Sequence, residues 1–473
     1  MKVQYVSICP TQTAQEQNCY GLTPELLAAT GARYSRNNEG LDSILSKVDF
    51  SNPDKSVDSV FKMLDYGHAS IADMAPIALF IDDISLFAAY YIWTLCPTAG
   101  GQECSTRYIK LSMDGIVSAD EIGLPQNLVD EYNKFNQDAF ESYTTCLEAW
   151  QALADSNPSI TKIPQSLLDS KNTKDIKQVE RMKRNYAFDR ARVHLPVGAL
   201  TGVMMVQSAR SWANLASHLQ SHYLKEFKNL GNQIAEKLAI GAPRLLKHTK
   251  ENEAIQNIIN FELQSSRRLA FQYGKNILTS AGADYFNVDS FLITQCFEPN
   301  RKLLASFISD ACKMRKNRYS PFSHHLNQIS VNFAWKGISF GEIRDLNRHR
   351  TGNKYCPLVP IGFYGALDQL QERESLNAKL IIQEDSKSSD IGFRSRDLLI
   401  SNVNEYFYFT KLGNQYYFEH TTTADKFIYE MELRTGIGAH YRYAKHCKDL
   451  LIHWFKDYPE TKNLIFEGSA EPE

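Results

Sequence analysis

Nowhere in this 473-residue chain do eighteen apolar residues run together, so no segment is expected to span a membrane as a helix. The opening stretch, MKVQYVSICPTQTAQEQNCYG, has no long apolar core and no small-residue cleavage site, so no signal peptide is read there. Metal-ligand spacing is missing too. The nine cysteines stand singly, without a CxxC pair or a His/Cys cluster, which speaks against zinc. An odd, scattered set of cysteines suits reduced thiols in a cytoplasmic protein. An excess of one charge is also absent. The formal net charge is −2, from 52 Lys and Arg against 54 Asp and Glu. That argues against a protein held to long nucleic acid by bulk charge, and it leaves open a small anionic ligand met by a local cluster of arginines.

What is present reads as globular. With 43% hydrophobic and 22% charged residues, the chain can bury cores for two or three ordinary domains. Val57, Val60, Phe61 and Leu64 recur at helical spacing and predict a short helix over Val57–Tyr66, stopped by Gly67. A buried strand is expected near Ala75–Ile81, then a helix toward Leu95, then a loop at CPTAGGQE. Leu128, Tyr132, Phe135, Ala139, Tyr143, Leu147 and Trp150 mark a long amphipathic helix. The polar, Lys-rich stretch from Asp155 to Lys183 reads as a loop or short helical excursion, and helical patterning resumes after Pro196.

The second half echoes the first. Leu303–Lys313 reads as helix and RYSPFSHH as a turn around Pro321. Ile329, Val331, Phe333 and Trp335 alternate with Ser330, Asn332, Ala334 and Lys336, the pattern of a half-buried strand that Gly337 is expected to break. FGEIRDLNRHR reads as a helix ended by Gly352, and KFIYEMELRTG as a late helix. Helix, turn, strand, helix, long loop and late helix thus occur twice. The inference is an internal duplication of roughly 220 residues per unit. The fold class is α+β, with mixed helices and antiparallel sheet in two tandem units, 1–245 and 255–465, forming a pseudo-dimer.

Two stretches concentrate reactive side chains. QECSTRY brings Glu103, Ser105, Arg107 and Tyr108 together. In an extended loop the first three share a face, where a Ser hydroxyl and an Arg fork make a phosphate clamp. A solvated loop with a weak Glu–Arg surface pair is the alternative. In LNRHRTGNKY and the residues before it, Arg344 and Arg348 lie one helical turn apart and repel by about a few tenths of a kcal/mol, which is useful if an anion sits between them. Alternatively, Asp345 neutralises Arg348 and His349. His68, alone in a turn, suits a structural role. His324 and His325 face opposite ways on a strand and are poorly placed to chelate one ion. Arg192 in DRARVHLP and Arg434 in ELRTG would be salt-bridged at the surface unless the fold turns them inward.

Together these strings resemble the flavin-dependent thymidylate synthases. That family carries a His turn and a strand, then a helix with Arg-His-Arg, then Glu-x-Ser-x-Arg-Tyr, then ARxxLP and a later helix with a further Arg. Here the pattern is split. The first half keeps Glu103-x-Ser105-x-Arg107-Tyr108 and ARVHLP with Arg192, but its turn, GHASIADM, has Asp73 and Met74 at the Glu and His places. Leu95-Cys96-Pro97 stands where Arg-His-Arg should be. The second half has His324 at the second His place, keeps Arg348-His349-Arg350, supplies Arg434, and lacks Ser-x-Arg-Tyr. The losses are complementary, as expected when each duplicated copy keeps the half of a shared site that it still supplies.

The resemblance implies FAD as cofactor, NADPH and methylenetetrahydrofolate as co-substrates, and dUMP as the acceptor. It implies that Ser105, Arg107 and Arg192 hold the nucleotide phosphate, with Arg344 also on the substrate side. Glu103 would orient a sugar hydroxyl or the flavin edge. Arg348, His349 and Arg350 would line the flavin and nucleotide pocket, with His68 and Ser70 near the FAD tail. Arg434 would face the pyrimidine as the catalytic group. No enzyme nucleophile is needed, and nothing beside Cys96 or Cys356 supplies an activating base. A homodimer of pseudo-dimers would replace the family's homotetramer. A non-catalytic nucleotide-binding relative is the other reading.

Overall fold

Alternating burial sorts the strands into two antiparallel sheets with the same internal order. The structure, a computed structural model, describes residues 1–473 except 18, 20, 36–39, 62–68, 108, 277–287, 297–299, 392 and 469–473. It divides into two units. Unit 1 holds Met1–Cys104, Gly115–Asn127 and Ala199–Leu263. Unit 2 holds Ser105–Asp114, Leu128–Gly198 and the chain from Gln264 onward. Units and sequence repeats are therefore different divisions: two segments of the first repeat are built into unit 2.

In unit 1, β1 (Lys2–Val6), β2 (Pro76–Ser85), β3 (Gly100–Glu103) and β4 (Leu200–Ser208) pair in the order β1-β2-β4-β3. Ile77, Leu79, Ile81, Val203 and Met205 are buried on one face, under the helices Ala209–Gln220 and Lys225–Gly241. The indole of Trp212 donates to the Ile77 carbonyl at 3.1 Å, which fixes the first of these helices to the central strand. The β2–β4 register shifts between Ile81 and Ile84, where Asp83 takes a φ of 58°. Two residues later Ser85 caps the helix Leu86–Leu95, its hydroxyl accepting from Ala88 N at 2.9 Å.

In unit 2, β5 (Asp289–Gln295), β6 (Ser330–Ser339), β7 (Asn353–Tyr355) and β9 (Asn414–Thr423) pair in the order β5-β6-β9-β7, and β8 (Gly362–Phe363) joins β9. The order is that of unit 1. So is the bulge: the β6–β9 register shifts after Lys336, at Gly337 with a φ of 94°, two residues before Ser339 caps the helix Phe340–Asn347. Val331, Phe333 and Trp335 face the core with Phe427, Ile428 and Trp454 from the two late helices, Ala424–Arg434 and Tyr441–Asp457. The long helices Val129–Ser156 and Thr173–Ala191 pack on each other, and the helix Leu376–Ile391 packs on the first of them.

Several expectations are corrected. Gly337 does not end its strand; it bulges it, because glycine accepts the positive φ that the bend needs. The stretch after Pro196 begins with β4, not helix. Val203, Met204, Met205 and Val206 are apolar on both strand faces, so no period is visible in them. CPTAGGQE ends in β3 rather than in loop. The polar Asp155–Lys183 stretch contains the start of the helix Thr173–Ala191. The helix bearing FGEIRDLN stops at Asn347, with Arg348 as its C-cap, so His349 and Arg350 lie beyond it. The helix predicted at Val57–Tyr66 runs over Pro53–Phe61, and residues 62–66 lie outside the described residues. No described helix is long and apolar enough to cross a membrane.

Candidate active site

Within unit 2 the two repeats cross each other at one antiparallel bridge, Pro196 against Lys411. Val197 N donates to the Thr410 carbonyl at 2.9 Å and Leu412 N to the Leu195 carbonyl at 2.8 Å. Pro196 stands twelve residues before the helix cap Ser208, and Lys411 twelve before the cap Thr423. Each therefore meets its own counterpart, and the pair of bonds has two-fold character. Val193, Leu195 and Val197 are buried on the same segment, and this phase turns Arg192 inward at 1% exposure.

Arg192 Nη2 pairs with Asp345 Oδ2 at 2.9 Å, while its Nη1 is buried and makes no hydrogen bond among the described residues. Arg107 reaches the same layer. Its Nε and Nη2 clasp Asp189 at 2.6 and 2.7 Å, and its Nη1 donates to the Gly438 carbonyl at 2.8 Å. Gly438 has a φ of 81°, so only glycine turns its carbonyl this way at little cost. Burial pushes the Asp189 carboxyl up, but the Arg107 guanidinium overrides it and holds the group at about 2. Asp345 is likewise pushed up by burial and pulled well below the carboxylate range by Arg192, Arg348, Arg107 and Arg344, four guanidinium groups around one carboxylate.

Arg434 closes the layer. Its Nε donates to His349 Nε2 at 2.6 Å and its Nη2 to the Asp345 carbonyl at 2.7 Å, with its guanidinium carbon 5.4 Å from the centre of the Tyr443 ring. Burial pushes His349 down to about 3, so the ring is neutral and free to accept at Nε2. His440 is neutral for the same reason, also at about 3. Its Nε2 donates to the Asp189 carbonyl at 3.1 Å and its Nδ1 accepts from Arg442 N at 3.3 Å.

The predicted residues thus fall into two groups. Arg107 and Arg192 from the first repeat gather with Arg344, Arg348, His349 and Arg434 from the second. Ser105 sits beside them in a turn, its hydroxyl accepting from Arg107 N at 3.2 Å. That turn ends the extended run at Glu103, so Glu103, Ser105 and Arg107 do not share a strand face as expected. Arg350 is exposed. Glu103 lies at the end of β3 in unit 1, and Ser70 is exposed in the short 3-10 turn Ala69–Met74, also in unit 1. His68 and Tyr108 lie outside the described residues. Arg192 is buried and Arg434 half-buried, with its guanidinium turned to His349 and the Asp345 carbonyl, so the surface alternative fails for them. Sequence reading missed Asp189, His440 and Tyr443. Asp189 had a signal: in DRAR it stands one helical turn before Arg192, an acid beside an inward base. Among the described residues no group of three or more His, Cys, Asp or Glu is placed to hold a metal ion.

Residues 20–244, just under half of the chain, match the family model described as Thymidylate synthase complementing protein. A UPF0159 protein of Chlamydia pneumoniae is 23% identical over 377 residues, covering 69% of each chain. A UPF0159 protein of Thermoplasma acidophilum is 23% identical over 358 residues, covering 67% of this chain and 70% of that one. The UMP/dUMP methylase PolB of Streptomyces cacaoi, in a crystal structure with 5-Br dUMP, aligns at 16% identity and a TM-score of 0.32, over 52% of this chain and 93% of that one. Over residues 20–244 the chain is similar to the family described as Thymidylate synthase complementing protein.

Proposed function

We propose that this chain is a nucleotide methyltransferase of thymidylate synthase type. It transfers a one-carbon unit from methylenetetrahydrofolate to dUMP, giving dTMP, with reduced FAD as hydride donor and NADPH as the source of reducing equivalents. With this reading go repeats at 1–245 and 255–465, a cytoplasmic setting and a homodimer of pseudo-dimers. The observation that carries it is the orphaned donor on Arg192: a guanidinium Nη1, buried and without a bond, in a layer where four guanidinium groups crowd one carboxylate. A buried donor without an acceptor is costly, and a phosphate oxygen satisfies it.

The residues divide the work. Arg192 Nη1 takes the nucleotide phosphate, with Arg344 beside it. Arg107 positions the layer by holding Asp189. Arg434, fixed by His349 and the Asp345 carbonyl, stabilises negative charge as it develops on the pyrimidine ring. The cofactor's diphosphate fits Arg348 and the exposed Arg350, both guanidinium groups; His349, neutral and committed to Arg434, does not add to that set. When bound, FAD supplies the hydride chemistry.

A second reading, a non-catalytic nucleotide-binding relative, is favoured by the protein's own acids: Asp189 fills the fork of Arg107 and Asp345 takes one end of Arg192. Calorimetric titration with dUMP, absorbance of any flavin in the purified protein, and rescue of a thymidine-requiring host separate the two. Arg192→Ala should weaken dUMP by about 10- to 100-fold, the worth of one charge-assisted bond. Unchanged affinity in that variant would defeat both readings. Tight nucleotide binding without flavin or rescue would leave only the second.

A further inference from the structure

On the helix Ala424–Arg434, Glu430 stands one turn before Arg434. Its side chain is fully buried, and so is the His420 ring of β9. His420 Nδ1 lies 3.2 Å from Glu430 Oε2, and its Nε2 donates to the Thr351 carbonyl at 2.7 Å. A bare Nδ1 lone pair would repel a carboxylate at that distance, so a proton lies between them. Burial pushes the Glu430 carboxyl up, but His349, His420 and Lys354 draw it down to about 2, which leaves that proton on His420. The contact is an ion pair without hydrogen-bond alignment. Lys354 of β7 adds a second cation. Its ammonium donates to the His349 carbonyl, and to the Thr351 carbonyl at 3.4 Å. Gly352, at a φ of 67°, lets this loop lie directly against β9, where a Cβ would come 2.0 Å from the Thr421 carbonyl oxygen.

Unit 1 holds apolar residues or glycine at the same places. Met205 pairs with Leu79 and Gly101 as His420 pairs with Phe333 and Lys354. Leu215 stands seven residues after the cap Ser208, as Glu430 stands seven after Thr423. Met205 and Leu215 are buried. The fold therefore does not need these charges, and a buried ion pair is weak evidence for stability. What unit 2 has and unit 1 lacks is the Arg348–Arg350 run, with Leu95-Cys96-Pro97 in its place. His349 joins that run to Arg434: its carbonyl accepts from Lys354, and its Nε2 accepts from Arg434 Nε at 2.6 Å. We propose that Glu430, His420 and Lys354 are positioning residues, which fix the backbone from His349 to Thr351 so that the His349 ring meets and orients the Arg434 guanidinium. This rests on the reading of the arginine layer as the nucleotide site, and adds to it the device that sets one of its cations.

The test uses the full chain. His420→Met together with Glu430→Leu gives unit 2 the residues of unit 1 and removes both members of the buried pair, so the unfolding temperature should not fall. Exchange of the Arg434 Nε proton, followed by heteronuclear NMR without nucleotide, should quicken by about tenfold, and calorimetry should show dUMP bound about tenfold more weakly. Lys354→Met keeps the buried pair and frees the two carbonyls, and should change both readouts by about three- to fivefold. Loss of orientation without loss of stability separates positioning from packing. A folded double variant with wild-type exchange at Arg434 and wild-type dUMP affinity overturns the proposal. If the double variant does not fold, Lys354→Met decides, and unchanged exchange there overturns it. Failure of the wild-type chain to bind dUMP would sink the nucleotide reading alone, because exchange at Arg434 is read without nucleotide.

Discussion

The same serine-capped helix start is secured from two different directions. In unit 1 the Ser85 backbone N and hydroxyl donate to Glu226 at 2.8 and 2.8 Å, a residue of the helix Lys225–Gly241. In unit 2 the Ser339 N and hydroxyl donate to Glu342 at 3.0 and 2.6 Å, three residues along its own helix. The places exchange identities. Ala88 stands where Glu342 does, and Ala444, four residues after His440, stands where Glu226 does, four after His222. A buried helix start needs an acceptor, and either neighbouring helix can supply it. The backbone device is thus more constrained than the residue that serves it.

Glu342 also faces Arg442 Nε at 3.4 Å and His446 Nε2 at 3.2 Å, so it anchors a buried charge network. That sets the largest expected contrast. Glu342→Ala should cost about 3–5 kcal/mol, because it strands a buried guanidinium. Glu226→Ala should cost about 1–3 kcal/mol, the price of two unmet donors. Hydrogen exchange in the helices Phe340–Asn347 and Leu86–Leu95 reads each locally. Equal losses would mean that the two carboxylates do the same job.

The crossing strands give the next contrast. Where the first repeat has Pro196, the second has Lys411, 2% exposed, its ammonium donating to Ser388 at 3.0 Å. Ser388 in turn meets His194 Nδ1 at 2.9 Å. Burial pushes Lys411 down to about 8. The unfolded group titrates near 10.4. Between these values the unfolded chain holds the extra proton, so stability should rise with pH, by about 2–3 kcal/mol in all. Lys411→Met should flatten that rise and add a similar amount at neutral pH. Thermal unfolding across pH 7–10 checks both; a rise that persists in the variant would assign it to another group.

A third contrast is acid sensitivity. Asp189 and Asn404 stand at matching places, each nineteen residues before its helix cap, Ser208 or Thr423. Each meets an arginine: Arg107 at 2.6 Å in one case and Arg267 Nη2 at 2.8 Å in the other. Only the carboxylate titrates. With Asp189 held at about 2 in the folded chain, against about 3.9 unfolded, its contribution is complete above pH 4 and lost as pH falls toward 2. About 2 kcal/mol should go from the Arg107 clasp over that window, with no matching loss at Arg267. Asp189→Asn should remove the pH dependence, followed by exchange of the backbone amides around each site.

Much of this was legible in the sequence where one face is buried and the other wet. β6 and the long helix Val129–Ser156 showed their periods because their exposed residues are polar. The gathering of Arg107 and Arg192 with Arg348 and Arg434 was also legible, since the motifs had lost complementary halves. β4 was not, being apolar on both faces. Nor was the helix Thr173–Ala191, whose first turns carry few apolar residues and whose burial comes from Met182 onward. Asp189 escaped because an acid reads as surface until the fold buries it beside a guanidinium group.

The bulge gives the smallest and most local contrast. Asp83 and Gly337 both sit at positive φ, 58° and 94°, two residues before their caps. A Cβ at Gly337 would be strained whatever the space around it, because a φ of 94° lies beyond the narrow left-handed region open to L-residues. Its carbonyl, moreover, accepts from Gln415 Nε2 and from Arg442 Nη2, so the backbone cannot relax freely. Gly337→Ala should cost about 1–2 kcal/mol. At Asp83 the φ of 58° is one that Asp tolerates, and relief of strain in Asp83→Gly competes with the added freedom of the unfolded chain, for a net change within about 0.5 kcal/mol. Exchange rates of β2 and β6 amides in the two variants measure the difference. A Gly337→Ala loss no larger than that at Asp83 would show that the bulge is held by its flanking strand pairs rather than by the residue at its turn.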